Sequence, residues 1–187
     1  VGVDMAKRRP AFEIAGEAVP AGGRRTINLP LPGLYTNDPV SMPVQVLHGS
    51  TDGPITFVSA AVHGDEINGV EIIRRVTRAL DPRSMAGTVI AVPIVNVHGF
   101  LNQSRYLPDR RDLNRSFPGS AKGSIAARLA SLFLHEIVAK ADVGIDLHTG
   151  ALNRSNLPQI RANLDDPGTL DIANAFGAPV VIDSNTR

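Results

Sequence analysis

The chain has 187 residues, with 43% hydrophobic and 20% charged side chains, which suits one globular α/β domain and leaves too little sequence for a second full one. Its formal net charge of +1 provides no general basic field, so no nucleic-acid partner is expected. Cysteine is absent, which excludes disulfides and thiolate chemistry and leaves histidine and carboxylates as ligands for any metal.

No apolar stretch approaches the ~20 residues that span a bilayer, and the first residues lack the apolar centre of a signal peptide. We therefore expect a cytoplasmic protein without a membrane partner, with homo-oligomer formation left open. The chain starts at Val1 without an initiator methionine and ends at Arg187, soon after the strand-like PVVID. This predicts a C-terminally incomplete piece of a longer protein.

Residues 1–42 are rich in proline, glycine and arginine, so we predict an N-terminal extension of loops and short strands, with one extended segment at Arg25–Leu29. Residues 43–187 carry a more regular pattern and are predicted to form the main domain. This region opens with VQVLHG, the turn residues Thr-Asp-Gly-Pro and ITFVSAAV. The combination is typical of a hairpin that leads into a buried strand, Ile55–Val62.

Helix and strand patterns then alternate along the chain. A helical pattern ends at Asp81-Pro82, TVIAVPIV follows as a buried strand, Ser124 caps the next helix and VGIDLH is a third strand. PGTLDIANAFGAPVVID predicts a last helix through Phe176, a Gly177 cap and a fourth strand. The pattern predicts an α/β fold: a mostly parallel or mixed central sheet with helices on both faces and a site at the strands' carboxyl ends. The predicted apolar faces are Ile67, Val70, Ile73, Val76 and Leu80 in the first helix and Ile125, Leu129, Leu132, Phe133 and Ile137 in the second.

Three residues at the ends of buried strands are candidate metal ligands. The spacing of His63 and Glu66 can bring an imidazole nitrogen and a carboxylate oxygen to one point, although a capping glutamate beside a hydrogen-bonded histidine has the same pattern. His148 closes another apolar strand and precedes Thr-Gly, a turn that exposes a side chain in a crevice. Two histidines and a glutamate are the ligands of catalytic zinc in carboxypeptidase A and thermolysin, so one Zn²⁺ is predicted. The other histidines are interpreted as structural or exposed: His48, His98 and His135.

A long segment without clear periodicity covers residues 96–123, and such loops in compact domains are usually functional or disordered. It contains several arginines, whose planar forks bind carboxylates, so an anionic substrate is predicted. Arg105 and Arg115 are the favoured candidates. Elsewhere in the loop, acidic neighbours are interpreted as neutralising exposed arginines: Asp109 and Asp112 beside Arg110 and Arg111.

Four motifs occur in order along the chain: HGDE at 63–66, SRY at 104–106, DLNRSFPG at 112–119 and DLHTG at 146–150. With them the chain, from about Val44 to its end, resembles the succinylglutamate desuccinylase/aspartoacylase family, relatives of the zinc carboxypeptidases. The resemblance implies a zinc carboxypeptidase-like fold. It also implies a zinc-dependent hydrolase that removes a succinyl or acetyl group from a small anionic N-acyl amino acid.

The resemblance also implies roles for individual residues. His63, Glu66 and His148 would hold the zinc ion, and Asn114 and Arg115 would bind a carboxylate of the substrate.

Arg105 matches the arginine that polarises the scissile carbonyl and stabilises the oxyanion in that family. Arg110 or Arg111 remains an alternative for this role. Arg161, in PQIRANL, is a further candidate substrate contact, with an exposed surface arginine as the alternative.

The family's general base is a glutamate nearer the C-terminus than this chain reaches, and no residue here matches it. The nearby carboxylates are Asp65, Glu71 and Asp146. Asp146 precedes His148 by two residues, so on a strand both point the same way, and it would either orient that ligand or form a salt bridge or cap. We expect a chain that binds zinc but is poorly active alone.

Alternatives remain open. A metallocarboxypeptidase would use Arg115 to grip a peptide's terminal carboxylate, and an ester hydrolase would use the same metal site. A third hypothesis is that the chain is not an enzyme but a non-catalytic zinc- or anion-binding module, because the general base is not in this chain.

Overall fold

The structure is a computed structural model that describes residues 9–33, 39–151 and 154–184. The chain divides into two compact units, Val1–Leu152 and Asn153–Arg187. None of the described helices is long and apolar enough to cross a bilayer.

The first unit is built on a mixed sheet. Its described elements, in chain order, are β1 (Phe12–Ile14), β2 (Glu17–Val19), β3 (Gly23–Pro30), β4 (Ser41–His48), β5 (Thr51–Ala60), α1 (Asn68–Ala79), β6 (Ala86–Val92), α2 (Val97–Leu101), α3 (Ile125–Glu136) and β7 (Val143–Leu147). The main sheet has the order β3-β4-β6-β5-β7, while β1 and β2 form a separate two-stranded ribbon. β5 runs parallel to both of its neighbours, whereas β4 is antiparallel to both of its own. The predicted mixed sheet is therefore confirmed.

The predicted hairpin between β4 and β5 is wrong. β6 lies between the two strands, so that Thr88 is opposite both His48 and Ile55. The connection is nonetheless tight, because the N–H of Gly49 donates to the carbonyl of Gly87 at 2.8 Å, and a Cβ on Gly49 would lie only 2.6 Å from that oxygen. The turn residues carry the chain past the start of β6 instead of folding one strand back on the other.

β3 is an integral strand of the main sheet. It pairs with β4 along its whole length, and its side chains Ile27 and Leu29 are buried. The extended segment predicted at Arg25–Leu29 is confirmed, and the sheet extends into the region expected to hold only loops and short strands.

The helices α1 and α3 cover opposite faces of the sheet, as predicted. On β5, Phe57 packs edge-on against Phe133 of α3, with ring centroids 5.8 Å apart, whereas Val58 packs on the cluster that contains Ile73 of α1. The larger core lies on the α3 side. The predicted apolar face of α3 packs into that core: Ile125, Leu129, Leu132, Phe133 and Ile137.

α1 buries a narrower face than its apolar pattern predicts. Ile73 is 1% exposed, but Ile67 and Val76 are 52% and 41% exposed. A Cβ on Gly69 would lie 2.7 Å from the Cβ of Ala60, so these small residues allow the helix to lie very close to the sheet. The sheet therefore covers only a narrow stripe of α1 through Gly69 and Ile73, and the flanking side chains Ile67 and Val76 remain exposed to solvent.

The second unit contains β8 (Gln159–Ala162), α4 (Pro167–Phe176) and β9 (Val180–Asp183), with β8 and β9 paired in parallel. Asp166 caps α4 by accepting a hydrogen bond from the N–H of Thr169 at 2.7 Å. Gly177 ends the helix with a left-handed φ of 75°, a conformation that glycine adopts without steric cost. The predicted helix, its cap and the strand that follows are confirmed.

A contact between β3 and α1 generates a stability prediction. Arg24 donates from its guanidinium to the carbonyls of Thr77 and Leu80, which are among the unpaired carbonyls at the end of α1. We expect Arg24→Ala to lower the free energy of unfolding by about 1 kcal/mol, because it removes two charge-assisted hydrogen bonds and a favourable charge at the helix C-terminus.

Urea unfolding checks this prediction, with Arg25→Ala as the matched control. Arg25 is the next residue on β3 and pairs with Glu17 at 2.6 Å, but both side chains are half exposed, so its loss should cost less than about 0.5 kcal/mol. Equal losses in the two variants would contradict the assignment of Arg24 as a helix cap.

Candidate metal centre and active site

The HGDE turn begins at the end of β5. The carbonyls of Ala60 and Ala61 accept hydrogen bonds from the N–H groups of Val95 and Asn96, at 3.0 and 2.9 Å, which joins this strand end to the segment after β6. Ala61 has a left-handed φ of 51°, a conformation that costs a non-glycine residue about 1–2 kcal/mol. The chain turns at this strained residue, two positions before His63.

Gly64 allows the turn to pack directly on the backbone of α2. A Cβ at this position would lie 2.0 Å from the carbonyl carbon of Gly99 and 2.2 Å from the nitrogen of Phe100. On either side of Gly64, His63 and Glu66 are 2% and 3% exposed, and the N–H of Glu66 donates to the carbonyl of His63 at 3.1 Å. The backbone of α2 therefore fixes the turn that carries both side chains.

The parallel pairing of β5 with β7 brings His148 to the same place. Ala60 is opposite Leu147, so the carboxyl ends of the two strands meet at one edge of the sheet. The rings of His63 and His148 lie 4.9 Å apart between centroids and are nearly perpendicular, at 80°. One ligand atom from each of His63, Glu66 and His148 lies within 4.8 Å of the others. The structure thus brings together the three residues predicted as ligands, and this donor set of two imidazoles and a carboxylate suits zinc.

The carboxylate of Glu66 is held in place at both oxygens. Oε1 lies 2.8 Å from Nδ1 of His63, and Oε2 accepts a hydrogen bond of 2.8 Å from the N–H of Thr149. Burial acts to raise the pKa of Glu66, but its hydrogen bonds with His63 and Thr149 and the charges of the two imidazoles outweigh burial and lower the pKa below its ordinary value. A metal ligand must be deprotonated, so this environment suits the predicted role.

His148 is oriented by Asp146, the residue two positions before it. Nδ1 of His148 lies 2.7 Å from Oδ2 of Asp146, and the hydroxyl of Ser59 donates to the other oxygen of Asp146 at 2.6 Å. The hydrogen bond with Asp146 raises the pKa of His148 above its ordinary value, although partial burial acts in the opposite direction. With Nδ1 engaged, Nε2 is the ring nitrogen left to face a metal.

Asp112 is the site residue that the sequence analysis missed. It contacts His63 and Arg105 instead of neutralising Arg110 or Arg111: Oδ1 lies 3.1 Å from Nε2 of His63, and Oδ2 accepts hydrogen bonds from Arg105 at 3.0 and 3.2 Å. Burial acts to raise the pKa of Asp112, but the hydrogen bonds and charges of His63 and Arg105 outweigh it and lower the pKa below its ordinary value. Asp112 belongs to the DLNR motif, which is the sequence signal that points to a functional role. The sequence does not show, however, which distant side chain its carboxylate contacts.

Arg105 lies beside the three candidate ligands, and its role stays a prediction. Its Nη1 is 3.3 Å from Oε1 of Glu66, and its side chain is 29% exposed. Arg110 and Arg111 are exposed and have no described side-chain contact with the three candidate ligands. The geometry therefore favours Arg105 over these two arginines.

The predicted substrate-binding residues occupy different units. Asn114 and Arg115 lie on a short 3-10 helix, Leu113–Arg115, that follows Asp112 directly. Both are exposed, and the Nε of Arg115 is 3.8 Å from Oδ2 of Asp112. Arg161 lies on β8 in the second unit and is exposed. Asn114 and Arg115 adjoin the candidate metal site, and the substrate-binding roles of all three residues stay predictions.

The remaining histidines are not part of the site. His48 is buried and lies 2.8 Å from the hydroxyl of Thr88 and 2.9 Å from the carbonyl of Pro10. His98 is buried on α2 and burial lowers its pKa, while His135 is exposed on α3. Their interpretation as structural or exposed residues is confirmed.

Comparison with known proteins assigns the chain to a family. Residues 52–187 match the succinylglutamate desuccinylase/aspartoacylase catalytic domain. The chain belongs to this family. It is 34% identical over 149 residues to an N-alpha-acetyl-L-2,4-diaminobutyric acid deacetylase from Halomonas elongata, an alignment that covers 76% of this chain and 43% of that protein.

Solved structures of the family share the fold. A succinylglutamate desuccinylase/aspartoacylase from Rhodobacter sphaeroides superposes with a TM-score of 0.80 at 32% identity, covering 92% of this chain and 55% of that one. An aspartoacylase family protein from Mesorhizobium loti gives a TM-score of 0.78 at 27% identity, covering 93% and 55%. The chain therefore spans about half the length of the family members it matches.

The packing of Gly64 generates a prediction about metal binding. We expect Gly64→Ala to reduce zinc affinity by at least about 10-fold, because the added methyl must displace the turn that carries His63 and Glu66. A loss of this size is typical when a residue that hydrogen-bonds to a metal ligand is removed. The measurement is a zinc titration against a chromophoric chelator.

Gly33→Ala is the matched control. Among the described residues no atom lies within 4 Å of the position where its Cβ would be, and zinc affinity should not change. Unaltered affinity in Gly64→Ala would show that the turn tolerates displacement from α2.

Proposed function

We propose that this chain carries the zinc-binding part of a hydrolase that removes an acyl group, of the acetyl or succinyl type, from an N-acyl amino acid. The observation that carries the proposal is the convergence of His63, Glu66 and His148 within 4.8 Å, with Arg105 beside them. Family membership and the deacetylase relative from Halomonas elongata support an acylated amino acid as the substrate.

A zinc ion held by these three residues would supply a Lewis acid and a water whose pKa falls to about 7. Other side chains of the chain would bind and polarise the substrate. Arg105, directed toward the metal side by its contact with Asp112, would stabilise negative charge on the carbonyl oxygen of the substrate. Asn114 and Arg115, exposed on the turn that follows Asp112, would bind a carboxylate of the amino acid.

Among the described residues, we assign no carboxylate to the proton transfer that hydrolysis requires. Three of the carboxylates considered already have other partners: Asp112 contacts His63 and Arg105, Asp146 contacts Ser59 and His148, and Glu71 pairs with Arg74 and Arg75. We therefore propose that efficient hydrolysis needs a carboxylate from the part of the relatives' length that this chain does not span.

The metal site is tested first. The chain, stripped with a chelator and then titrated, is expected to bind one zinc ion. His63→Ala and His148→Ala should each weaken zinc binding by at least about 100-fold. Loss of a residue that only hydrogen-bonds to a ligand costs up to about 100-fold, and loss of the ligand itself should cost at least as much. His135→Ala, which removes an exposed histidine of α3, should leave affinity unchanged. Equal effects in all three variants, or no zinc binding by the parent, would refute the assigned ligands.

The reaction is tested with N-acetyl-2,4-diaminobutyrate, N-acetylaspartate and N-succinylglutamate, each with and without chelator, on this chain and on a C-terminally extended form. We expect chelator-sensitive release of the acyl group, faster in the extended form. Full activity in the 187-residue chain would contradict the need for a further carboxylate. Hydrolysis of peptides or simple esters, but not of these amides, would favour the metallocarboxypeptidase or ester hydrolase. Zinc binding without turnover in either form would favour a non-catalytic module.

The role of Arg105 is tested separately. Arg105→Ala is expected to lower kcat by about 10²–10³-fold, the usual cost of removing one oxyanion donor, with a smaller change in KM. Arg110→Ala and Arg111→Ala are the matched controls from the same loop and should retain near-parental kcat. A large loss of kcat in either control, with activity kept in Arg105→Ala, would transfer the role to that arginine.

A further inference from the structure

Three of the described arginines are largely buried: Arg9, Arg105 and Arg128. A guanidinium that is removed from water loses hydration, and a carboxylate partner normally compensates for that loss. Arg9 lies 3.0 Å from Asp52, and Arg105 lies 3.0 Å from Asp112. Arg128 forms no ion pair with any of the described carboxylates. It is therefore the largely buried arginine whose charge the described part of the fold does not compensate.

The guanidinium of Arg128 also has few acceptors for its N–H groups. Its Nε–H is buried and has no acceptor among the residues that the structure describes. Its Nη2 donates to the carbonyl of Gly33 at 3.5 Å, which is longer than the range of about 2.7–3.2 Å typical of N–H···O hydrogen bonds. A buried donor without an acceptor lowers stability, so native proteins contain few such donors and each one calls for an explanation.

Arg128 lines a groove between α3 and the chain at the end of β3, which we call the Arg128 groove. Its volume is about 390 Å³, a size within the range of small-molecule sites. Pro30, Pro32 and Leu132 contribute apolar surface to its lining. None of the three candidate metal ligands lines the groove, so it is separate from the site described above.

The polar residues of the groove lie along one face of α3. Arg128, Ser131 and His135 are three and four residues apart, a spacing that places them on the same side of a helix. Ser131 is 8% exposed, whereas His135 is exposed. A hydroxyl and an imidazole can each donate a hydrogen bond to an oxyanion that is paired with a neighbouring guanidinium. The face therefore offers several donors beside an apolar wall.

Glu136 is the acidic residue that lines the groove. It follows Arg128 by eight residues, which corresponds to about 12 Å along the axis of a helix. The groove therefore has a cationic end at Arg128 and an acidic residue at the other end. A ligand with one negative charge suits this arrangement better than a dianion, whose second charge would approach both the apolar wall and Glu136.

From these observations we propose that the Arg128 groove binds a small monocarboxylate with a short aliphatic chain. The planar guanidinium of Arg128 pairs with the carboxylate, and Ser131 and His135 donate further hydrogen bonds to it. The aliphatic chain lies against Pro32 and Leu132, where it is removed from water. This inference goes beyond the proposed function and does not depend on it, because no candidate metal ligand takes part.

The first test is a titration of the 187-residue chain with butyrate, followed in ¹H–¹⁵N spectra of the arginine side chains. The Nε–H resonance of Arg128, assigned from its absence in Arg128→Gln, should shift and saturate with a dissociation constant of about 1–10 mM. Arg128→Gln should raise the dissociation constant, measured on the backbone amide of Leu132, by at least about 10-fold. No saturable shift of the Arg128 resonance overturns the proposal.

Two control variants locate the butyrate site. Arg78→Gln removes an exposed arginine of α1 that does not line the groove, and the dissociation constant should not change. Arg105→Ala should also leave the dissociation constant unchanged, because Arg105 belongs to the candidate active site. A loss of the Arg128 response in either control would place the binding elsewhere and overturn the proposal.

The second test compares ligands on the same Arg128 resonance. Succinate has the same four carbons as butyrate but a second carboxylate, whereas inorganic phosphate has no apolar part. Each should bind at least about 10-fold more weakly than butyrate, because it loses burial of apolar surface or places a charge against the apolar wall. Equal binding of the three anions would show that the groove recognises charge alone, which overturns the assignment of an aliphatic monocarboxylate.

The third test uses Arg128→Met, which keeps an unbranched apolar stem and removes the uncompensated charge. Without ligand, its Tm should equal or exceed that of the parent, because no described ion pair is lost. Butyrate at ten times its dissociation constant, at matched ionic strength, should raise the Tm of the parent but not that of the variant.

Two outcomes of the third test separate the proposals. A Tm several degrees lower in Arg128→Met would show that Arg128 is a structural contact, and it overturns the proposal even if Arg128→Gln fails to fold. A parent chain that binds butyrate but no zinc would refute the proposed function and leave this inference standing.

Discussion

The parallel pairing of β5 with β7 is the constraint on which the candidate site depends. It places Ala60 opposite Leu147, and the two imidazoles follow within three residues of that pair. Successive side chains of a strand point to opposite faces, so a shift of one residue in this pairing would turn His148 away from His63. Side-chain packing reinforces the register. A Cβ on Gly69 would come within 3 Å of the Cβ atoms of both Ala60 and Leu147, so α1 lies against this one pair of residues.

The charged groups around the two imidazoles are a second constraint on the site. Each imidazole of the site has an aspartate at one ring nitrogen, Asp112 for His63 and Asp146 for His148, and Glu66 lies between the rings. Three carboxylates thus surround two histidines, with Arg105 as the compensating cation among them. Such an arrangement favours a divalent cation, whose charge offsets the mutual repulsion of the acidic groups.

The sequence predicted most of the elements and all three candidate ligands, for physical reasons that are local. Ser124 and Asp166 cap their helices through their own side chains, and Gly177 ends a helix because it adopts a left-handed φ. Partners that are distant along the chain could not be predicted. The order of β4, β6 and β5 depends on a crossover at Gly49, and the role of Asp112 depends on His63, which lies far from it in sequence. The exposed side of α1 was missed because hydrophobic spacing does not show how closely a helix will approach a sheet. Here, Gly69 sets that distance.

The strand order has a consequence for how the chain assembles. β4 and β5 follow one another in sequence but each pairs with β6, which lies between them, and not with the other, so these two strands cannot form a local hairpin. Pairing strands that are not neighbours in sequence costs more loop-closure entropy than forming a hairpin, and this cost slows folding. During synthesis, residues up to about 85 would emerge before β6, the partner of one edge of β4 and of one edge of β5. Among the described residues, β7 is the last strand of the main sheet along the chain and is also the one that brings His148, so the imidazole pair assembles only after β7 has paired with β5.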